Sequence, residues 1–144
     1  MNIIKNKESE TSKRIYLTHC SAKKSNHLRL SGEKTTPEKL YTALPTQRFI
    51  NRCKEKNVDW AIFSDKYGIW FPFEEHTWYD KNPSTVNGRE FEGLVNNFNY
   101  KLGNYNAIYF YRNPGRFHRL YRKLLNNIEA KDKIVLISHL REIQ

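Results

Sequence analysis

The stretch 58–68 constrains the fold of this 144-residue chain more than any other part of its sequence. Apart from Asp59, the residues from Val58 to Phe63 are apolar, and most of them are β-branched or aromatic. This pattern predicts a central strand that is covered on both faces of a sheet. Gly68 is expected to close the turn that follows, which consists of the polar residues Ser64, Asp65, Lys66 and Tyr67.

Three further strands are predicted at 14–18, 106–111 and 133–137, and the segments between them carry helix signals. A Thr-Pro pair at 36–37 resembles an N-cap followed by the first helical residue. The range 45–56 places its apolar residues on one face, and Asn87 has the spacing of a capping box. Asn113 and Pro114 are expected to begin the last helix.

This order of elements predicts one α/β domain over 13–144, after a polar and flexible tail at 1–12. Right-handed crossovers would give a layered sandwich with a mainly parallel sheet of four or more strands and helices on both faces. The segment 69–86 is predicted to be a long loop of the kind that binds ligands. Its Trp70 and Phe73 are expected to pack over the sheet, and its Trp78 and Tyr79 are candidate substrate-binding residues.

Polar clusters follow all four predicted strands, at 19–24, 64–67, 112–116 and 138–139. Ligands of open α/β sheets bind just beyond the carboxyl ends of the strands. Because parallel strands end on the same side of a sheet, we expect the four clusters to share one rim. A solvated turn is the simpler interpretation of any single cluster, and the recurrence of such clusters favours a site.

The chain is strongly basic, with 25 Lys and Arg against 15 Asp and Glu and a formal net charge of +10. Aromatic residues make up 14% of the chain. This combination favours nucleic acid as the partner rather than a membrane surface. The last helix has a basic face, for which simple solvation is the alternative, and its candidate phosphate-binding residues are Arg112, Arg116, Arg119, Arg122 and Lys123.

Several other classes of protein are not indicated by the sequence. The two cysteines, Cys20 and Cys53, do not make a disulfide framework, and Cys53 is expected in the core. No apolar stretch approaches the roughly 18 residues of a membrane span, and the amino terminus lacks the apolar region of a signal peptide, so we expect a cytoplasmic protein. There is no Gly-rich phosphate loop and no paired Cys-x-x-Cys, and neither a metal nor a cofactor is expected.

Three short motifs carry a resemblance to a known family. Residues 19–24 read His-Cys-Ser-Ala-Lys-Lys, 40–42 read Leu-Tyr-Thr, and 60–68 end in Ser-Asp-Lys-Tyr-Gly, with Pro72 and Tyr79 downstream. Together they resemble a family of small uncharacterised α/β domains that is distantly related to bacterial peroxide-stress proteins that bind DNA.

The same motifs are similar to the catalytic domain of archaeosine synthase, an enzyme that acts on a deazaguanine base in tRNA. Cys20, Ser21 and Lys24 match the spacing of its Cys-Ser-x-x-Lys motif. The Pro-Tyr-Ser continuation of that motif is replaced here by 25–27, Ser-Asn-His. This difference argues against transfer of lysine to a nitrile, whereas the resemblance still implies base chemistry.

The sequence therefore predicts an enzyme that modifies or excises a base in tRNA or DNA. Asp65 is the first choice for the residue that activates water or stabilises a developing cation. Lys24 and Lys66 would hold charge nearby, and Cys20, with Ser21 beside it, is a candidate nucleophile. The other residues expected to bind substrate are Ser64, Tyr67, Trp78, Tyr79 and His139. A nucleic-acid binding module without catalysis and an enzyme of free nucleotides are the alternatives.

Overall fold

A computed structural model describes residues 13–112 and 117–144. The predicted tail at 1–12 and the predicted helix start at 113–116 lie outside these described residues. The chain is a mixed α/β protein with one five-stranded sheet. Its strands are β1 (Arg14–His19), β2 (Trp60–Ser64), β3 (Gly68–Trp70), β4 (Ala107–Tyr111) and β5 (Ile134–Ile137).

Five α-helices lie in the described part of the chain: α1 (Asn26–Ser31), α2 (Pro37–Leu40), α3 (Leu44–Lys56), α4 (Gly88–Leu102) and α5 (Arg119–Asn127). Short 3-10 helices lie at Pro83–Thr85, Lys131–Lys133 and Leu140–Glu142. None of the helices described is both long enough and apolar enough to cross a bilayer.

The sheet has the strand order β3-β2-β1-β4-β5 and is mostly parallel. Strand β1 pairs in parallel with β2 and β4, so that Leu17 lies between Ala61 and Phe110. Strand β5 extends the parallel part beside β4, whereas β3 is antiparallel to β2. The predicted α/β class and mostly parallel sheet are confirmed.

Strand β2 is an interior strand of the sheet, as expected, although β1 occupies the middle position. All five residues of β2 are buried, and its apolar side chains enter two hydrophobic clusters, Ala61 and Phe63 in one and Trp60 and Ile62 in the other. The predicted loop at 69–86 is wrong at its start, where Gly68–Trp70 forms the antiparallel strand β3. Three residues are too few to show the alternation that identifies a strand in a sequence.

Two hydrophobic clusters contain alternate residues of the same strands. Ile15 and Leu17 of β1 belong to a cluster with residues of α4 and α5, whereas Tyr16 belongs to a second cluster with residues of α3. Successive side chains of a strand point to opposite faces, so the clusters lie on opposite sides of the sheet. Cys53 is completely buried in the second cluster, as expected.

Helices α1 and α5 both begin with a side chain that caps them. Helix α1 was not predicted from the sequence, and no residue of this helix is buried. It is held by local capping instead, because the Ser25 side chain accepts a hydrogen bond from the Leu28 amide and Gly32 ends the helix in the left-handed conformation. Helix α5 begins at Arg119 with His118 as its N-cap, and the helix start predicted at 113–116 lies outside the described residues.

Candidate functional site

The carboxyl ends of β1 and β2 meet at a cleft of about 220 Å³. Four parts of the chain surround it: the residues after β1, the turn after β2, the segment 79–83 and helix α5. Its lining is mostly polar and consists of Cys20, Ser21, Ala22, Lys24, Asp65, Tyr79, Asp80, Lys81, Asn82, Pro83 and Tyr121. The fold therefore brings together four of the five predicted catalytic residues and adds Tyr121, which sequence reasoning had not selected.

Cys20 forms the contact between β1, the turn after β2 and helix α5. Its Sγ atom lies 3.6 Å from Asp65 Oδ1 and 3.6 Å from the Tyr121 hydroxyl. Burial is the main cause that raises the pKa of the Cys20 thiol to about 11, and the charge of Asp65 adds to it. A thiol with this pKa is neutral at pH 7, and only the thiolate is a strong nucleophile. The surroundings of Cys20 thus favour a hydrogen-bonding role over nucleophilic attack.

Asp65 is a buried carboxyl group, with 3% of the residue exposed. Desolvation raises its pKa, and three neighbours oppose this effect by favouring the ionised form. They are the Cys20 thiol, the Lys24 ammonium group and the Tyr79 hydroxyl. A carboxyl group whose pKa is raised above its ordinary value is able to exchange a proton closer to neutral pH.

Tyr79 lines the cleft through a network of buried hydroxyl groups. Its hydroxyl accepts a hydrogen bond from Ser64 Oγ at 3.1 Å and also contacts the hydroxyl of Tyr41. The Lys24 ammonium group lies 4.5 Å from the centre of the Tyr79 ring. Because Tyr79 is only 3% exposed and Lys24 covers its ring, this residue does not offer a free ring face for stacking.

The walls of the cleft carry both charges and hydroxyl groups. Lys81 forms an ion pair with Glu90 at 2.8 Å, which holds the segment 79–83 against the start of α4. Ser21 Oγ lies 3.3 Å from Thr46 Oγ1, so this hydroxyl connects the end of β1 to helix α3. Lys24 contributes an ammonium group that has no carboxylate partner within salt-bridge distance in the described part of the chain.

The remaining predicted substrate residues do not line the cleft. Tyr67 donates a hydrogen bond to the Thr77 carbonyl at 3.0 Å and stacks on His76, so it holds the loop in place. Trp78 lies beside the Arg29 guanidinium group. The residues outside the lining are Ser64, which acts through Tyr79, and Lys66, Tyr67, Trp78, Arg112 and His139.

The basic face of α5 adjoins the cleft. Arg119, Arg122 and Lys123 are exposed on this helix, and Tyr121 of the same helix reaches the cleft. The Lys123 ammonium group lies 4.3 Å from the centre of the Phe91 ring. Arg112 is also exposed at the end of β4, and Arg116 lies outside the described residues.

His19 is a neighbour of the cleft that sequence reasoning did not assign to a role. Its ring stacks on Tyr121 with centroids 4.8 Å apart, and its Nδ1 lies 3.0 Å from the Cys20 carbonyl oxygen. A carbonyl only accepts hydrogen bonds, so Nδ1 carries the proton. Burial lowers the pKa of His19, which favours this neutral ring. Its position directly before Cys20 was the only signal for it in the sequence.

A larger groove of about 390 Å³ lies at the opposite, amino end of the parallel strands. Apolar side chains dominate its lining, and the Tyr105 hydroxyl donates a hydrogen bond to Asp59 at 3.1 Å. Phe73 borders this groove and is 78% exposed, so the prediction that it packs over the sheet is wrong, whereas Trp70 is fully buried as expected. The smaller cleft concentrates the reactive groups and is the candidate site.

Over residues 13–112 and 117–144, no three His, Cys, Asp or Glu side chains are grouped closely enough to hold a metal ion. The fold and the cleft together define an α/β protein with a cleft lined by titratable and hydroxyl-bearing side chains at the carboxyl ends of two parallel strands. Comparisons with family models, with curated proteins and with solved structures found no match to this chain.

Proposed function

We propose that this protein is an enzyme that modifies or excises a base in nucleic acid. The observation that carries the proposal is the position of Tyr121, which lines the cleft from the same helix that exposes Arg119 and Arg122. Phosphates bound to this basic face would hold a nucleic-acid strand beside the cleft. The net charge of +10 provides the long-range attraction for such a strand.

The size of the cleft supports a single base as the group that enters it. Its 220 Å³ is below the roughly 300–1,000 Å³ of pockets that enclose drug-sized ligands. Enzymes that act on a base take it out of the stack and hold it in a small pocket. We therefore propose that one extruded base occupies the cleft while its neighbouring phosphates remain on α5.

Asp65 is the proposed acid–base residue of this reaction. Its raised pKa suits a group that exchanges a proton with a bound base or with water. In its ionised form it would also stabilise positive charge that develops on the sugar during release of a base. Lys24 would balance the charge of the carboxylate, and Cys20 would position it through the 3.6 Å contact.

The arrangement of the helices is compatible with access to this end of the sheet. The two hydrophobic clusters support helices on both faces of the sheet, which leaves the strand ends as the open side. The resemblance of Cys20, Ser21 and Lys24 to the Cys-Ser-x-x-Lys motif of archaeosine synthase implies the same class of chemistry.

The test is incubation of the protein with total tRNA and with DNA that carries oxidised or hypermodified pyrimidines. Mass spectrometry of released and retained nucleosides would detect a changed or missing base. We expect Asp65→Asn to lower turnover by about 10²–10⁴-fold, the usual contribution of general acid–base catalysis, while binding persists. Unchanged turnover in this variant would remove Asp65 from the mechanism.

Binding without any product in the same assay would instead support a nucleic-acid binding module. The matched control is Asp59→Asn, which changes a carboxylate at the other end of the parallel strands. Because Asp59 does not line the cleft, the control is expected to retain the turnover of the unmodified protein.

A free nucleotide is the second candidate substrate. The observation that favours it is the presence of two ammonium groups, Lys24 and Lys81, within the lining of the cleft itself. These groups would bind a phosphate without help from α5. Competition between nucleoside monophosphates and oligonucleotides distinguishes the two substrates. The Arg122→Ala variant is a second test, since an enzyme of free nucleotides should lose little affinity for its substrate in this variant.

A further inference from the structure

We propose that Tyr79 is the hydrogen-bond donor that the cleft presents to an acceptor atom of the bound base. This inference rests on the proposed function and deepens it by assigning the groups that recognise the substrate. It follows from the direction of the hydrogen bonds around three buried hydroxyl groups, those of Ser64, Tyr41 and Tyr79.

The hydroxyl of Ser64 has its proton directed to Tyr79. Its oxygen accepts hydrogen bonds from the backbone amides of Lys66 at 3.1 Å and Tyr67 at 3.0 Å. A serine hydroxyl has two acceptor sites and one proton. Both acceptor sites are therefore occupied, and the proton is donated to the Tyr79 oxygen at 3.1 Å.

The hydroxyl of Tyr41 also donates to Tyr79. Tyr41 is completely buried, and its hydroxyl has no other hydrogen-bond partner among the described residues. If Tyr79 donated to Tyr41, the Tyr41 proton would be left without an acceptor, which costs about 1–3 kcal/mol for a buried polar group. Donation from Tyr41 avoids this cost, so the Tyr79 oxygen accepts from both Ser64 and Tyr41.

The proton of Tyr79 consequently points away from Ser64 and Tyr41 and toward Asp65 at the cleft, where it favours the ionised carboxylate until an acceptor atom of a substrate competes for it. Two accepted hydrogen bonds fill the acceptor sites of the phenol oxygen and polarise its O–H bond. Burial raises the pKa of Tyr79 above its ordinary value, so the group keeps its proton. Such a donor stabilises negative charge that develops on a carbonyl oxygen or ring nitrogen.

The role of Tyr79 as a hydrogen-bond donor also predicts which kind of substrate the cleft binds. Asp65, when ionised, accepts hydrogen bonds, and Tyr79 beside it donates one. The pair therefore matches a heterocycle that carries an N–H group next to a carbonyl oxygen or a ring nitrogen. Such a heterocycle would form a hydrogen bond with each group at once, whereas an apolar ring of the same size would offer a hydrogen bond to neither.

The first test needs no substrate, because the direction of the hydrogen bonds is a property of the free protein. Tyrosine labelled with ¹³C at Cζ reports hydroxyl exchange through the isotope shift in mixed H₂O and D₂O, and Tyr41→Phe and Tyr79→Phe assign the two signals. We expect slow exchange for Tyr41 and exchange at least tenfold faster for Tyr79. Equal protection of the two hydroxyls would overturn the proposal.

The second test is kinetic and uses the nucleic-acid substrate found in the nucleoside assay. Tyr79→Phe should lower kcat by roughly 10²–10³-fold, as removal of one preorganised donor does, with little change in KM. Tyr105→Phe is the control, since it removes a buried hydroxyl that bonds Asp59 away from the cleft. An unchanged kcat in Tyr79→Phe would refute the donor role. Absence of turnover on every nucleic acid would count against the proposed function, and the exchange measurement would still decide the role of Tyr79.

Discussion

The Sγ atom of Cys20 lies 3.6 Å from Oδ1 of Asp65, so the end of β1 and the turn after β2 meet in one buried contact. A thiol has a single proton, and Cys20 donates it to the carboxylate. The Tyr121 hydroxyl, 3.6 Å from the same sulfur atom, must then donate to sulfur rather than accept from it. Two successive hydrogen bonds, from Tyr121 to Cys20 and from Cys20 to Asp65, therefore connect the basic helix α5 to the proposed reactive group.

The two cysteines are expected to react slowly with iodoacetamide at pH 7. The pKa of the Cys20 thiol is raised to about 11 and that of Cys53 to about 12, so both are neutral thiols at this pH. Alkylation of Cys20 should become faster as the pH rises toward 11, because the thiolate is the reactive form. Cys53, which is fully buried away from the cleft, serves as the slower internal control in mass spectra of the alkylated protein. Complete alkylation of Cys20 within minutes at pH 7 would contradict its buried, neutral state.

Asp65→Asn should stabilise the folded protein at neutral pH while it removes activity. Burial raises the pKa of Asp65 in the folded state above its unfolded value of about 3.9, so the folded protein favours the protonated form. The stability that the protonated carboxyl contributes is complete below the unfolded pKa and is lost as the pH rises through the folded pKa. The variant avoids this loss, since an amide does not ionise.

Urea denaturation at several pH values measures this effect. The stability of Asp65→Asn relative to the unmodified protein should increase as the pH rises from below about 4 to 7. The expected result is the sign of this change, a gain in stability for Asp65→Asn that appears as the pH rises. A pH-independent difference between the two proteins would show that the carboxyl is not destabilised by burial.

Arg122→Ala and Arg119→Ala should weaken nucleic-acid binding and make it less sensitive to salt. Each neutralised phosphate contributes about 0.7–0.9 to the slope of log K against log salt concentration, so each variant should lower that slope by about this amount if its side chain binds one phosphate. Lys54→Ala is the matched control, because Lys54 belongs to α3, whose buried apolar residues lie in the other hydrophobic cluster, and is paired with Glu38. Fluorescence anisotropy over a range of salt concentrations gives the slopes. Equal slopes in all proteins would exclude α5 as the phosphate-binding surface.

Two glycine-to-alanine substitutions should have opposite effects on stability. Gly68 has a φ of +77°, and an added Cβ would lie 2.4 Å from Oδ1 of Asn97, the atom that accepts a hydrogen bond from the Ile69 amide. Gly68→Ala should therefore cost about 1–3 kcal/mol of unfolding free energy. Gly93 lies within α4 with nothing near its added Cβ, so Gly93→Ala should stabilise the protein by about 0.8–1.0 kcal/mol. Urea denaturation of both variants compares them directly, and a neutral Gly68→Ala would show that the turn adapts to a side chain.

The parts of the fold that were predictable from the sequence are those with a clear pattern of apolar residues within a single segment of the chain. Apolar runs with clear boundary residues predicted the strands β1, β2, β4 and β5 and the amphipathic helix α3. The structure contains all of these elements. The capping box at Asn87 was also visible, because its two partners are only three residues apart. Short elements such as β3 and α1 lacked enough residues to show any periodicity.

The candidate site was predictable where its residues follow strands and not where they come from a helix. Cys20, Lys24 and Asp65 lie at the carboxyl ends of β1 and β2, which is where a parallel sheet places its ligands. Tyr121 has the spacing of a core residue on α5, and only the packing of that helix against β1 reveals its hydroxyl beside Cys20. Fewer strand ends contribute to the site than expected. Arg112 and His139 follow β4 and β5, and neither residue lines the cleft.

The tight turn between β2 and β3 orders a side chain of the site before a ligand binds. Because the chain reverses directly after Asp65, the Ser64 hydroxyl is fixed by the amides of Lys66 and Tyr67 before any molecule enters. The Ser64 rotamer, which supports the Tyr79 hydroxyl, is thereby ordered during folding, and binding beside Tyr79 would require little further loss of side-chain entropy. We therefore expect little movement of the backbone on binding, so that the free and ligand-bound proteins have similar backbone coordinates.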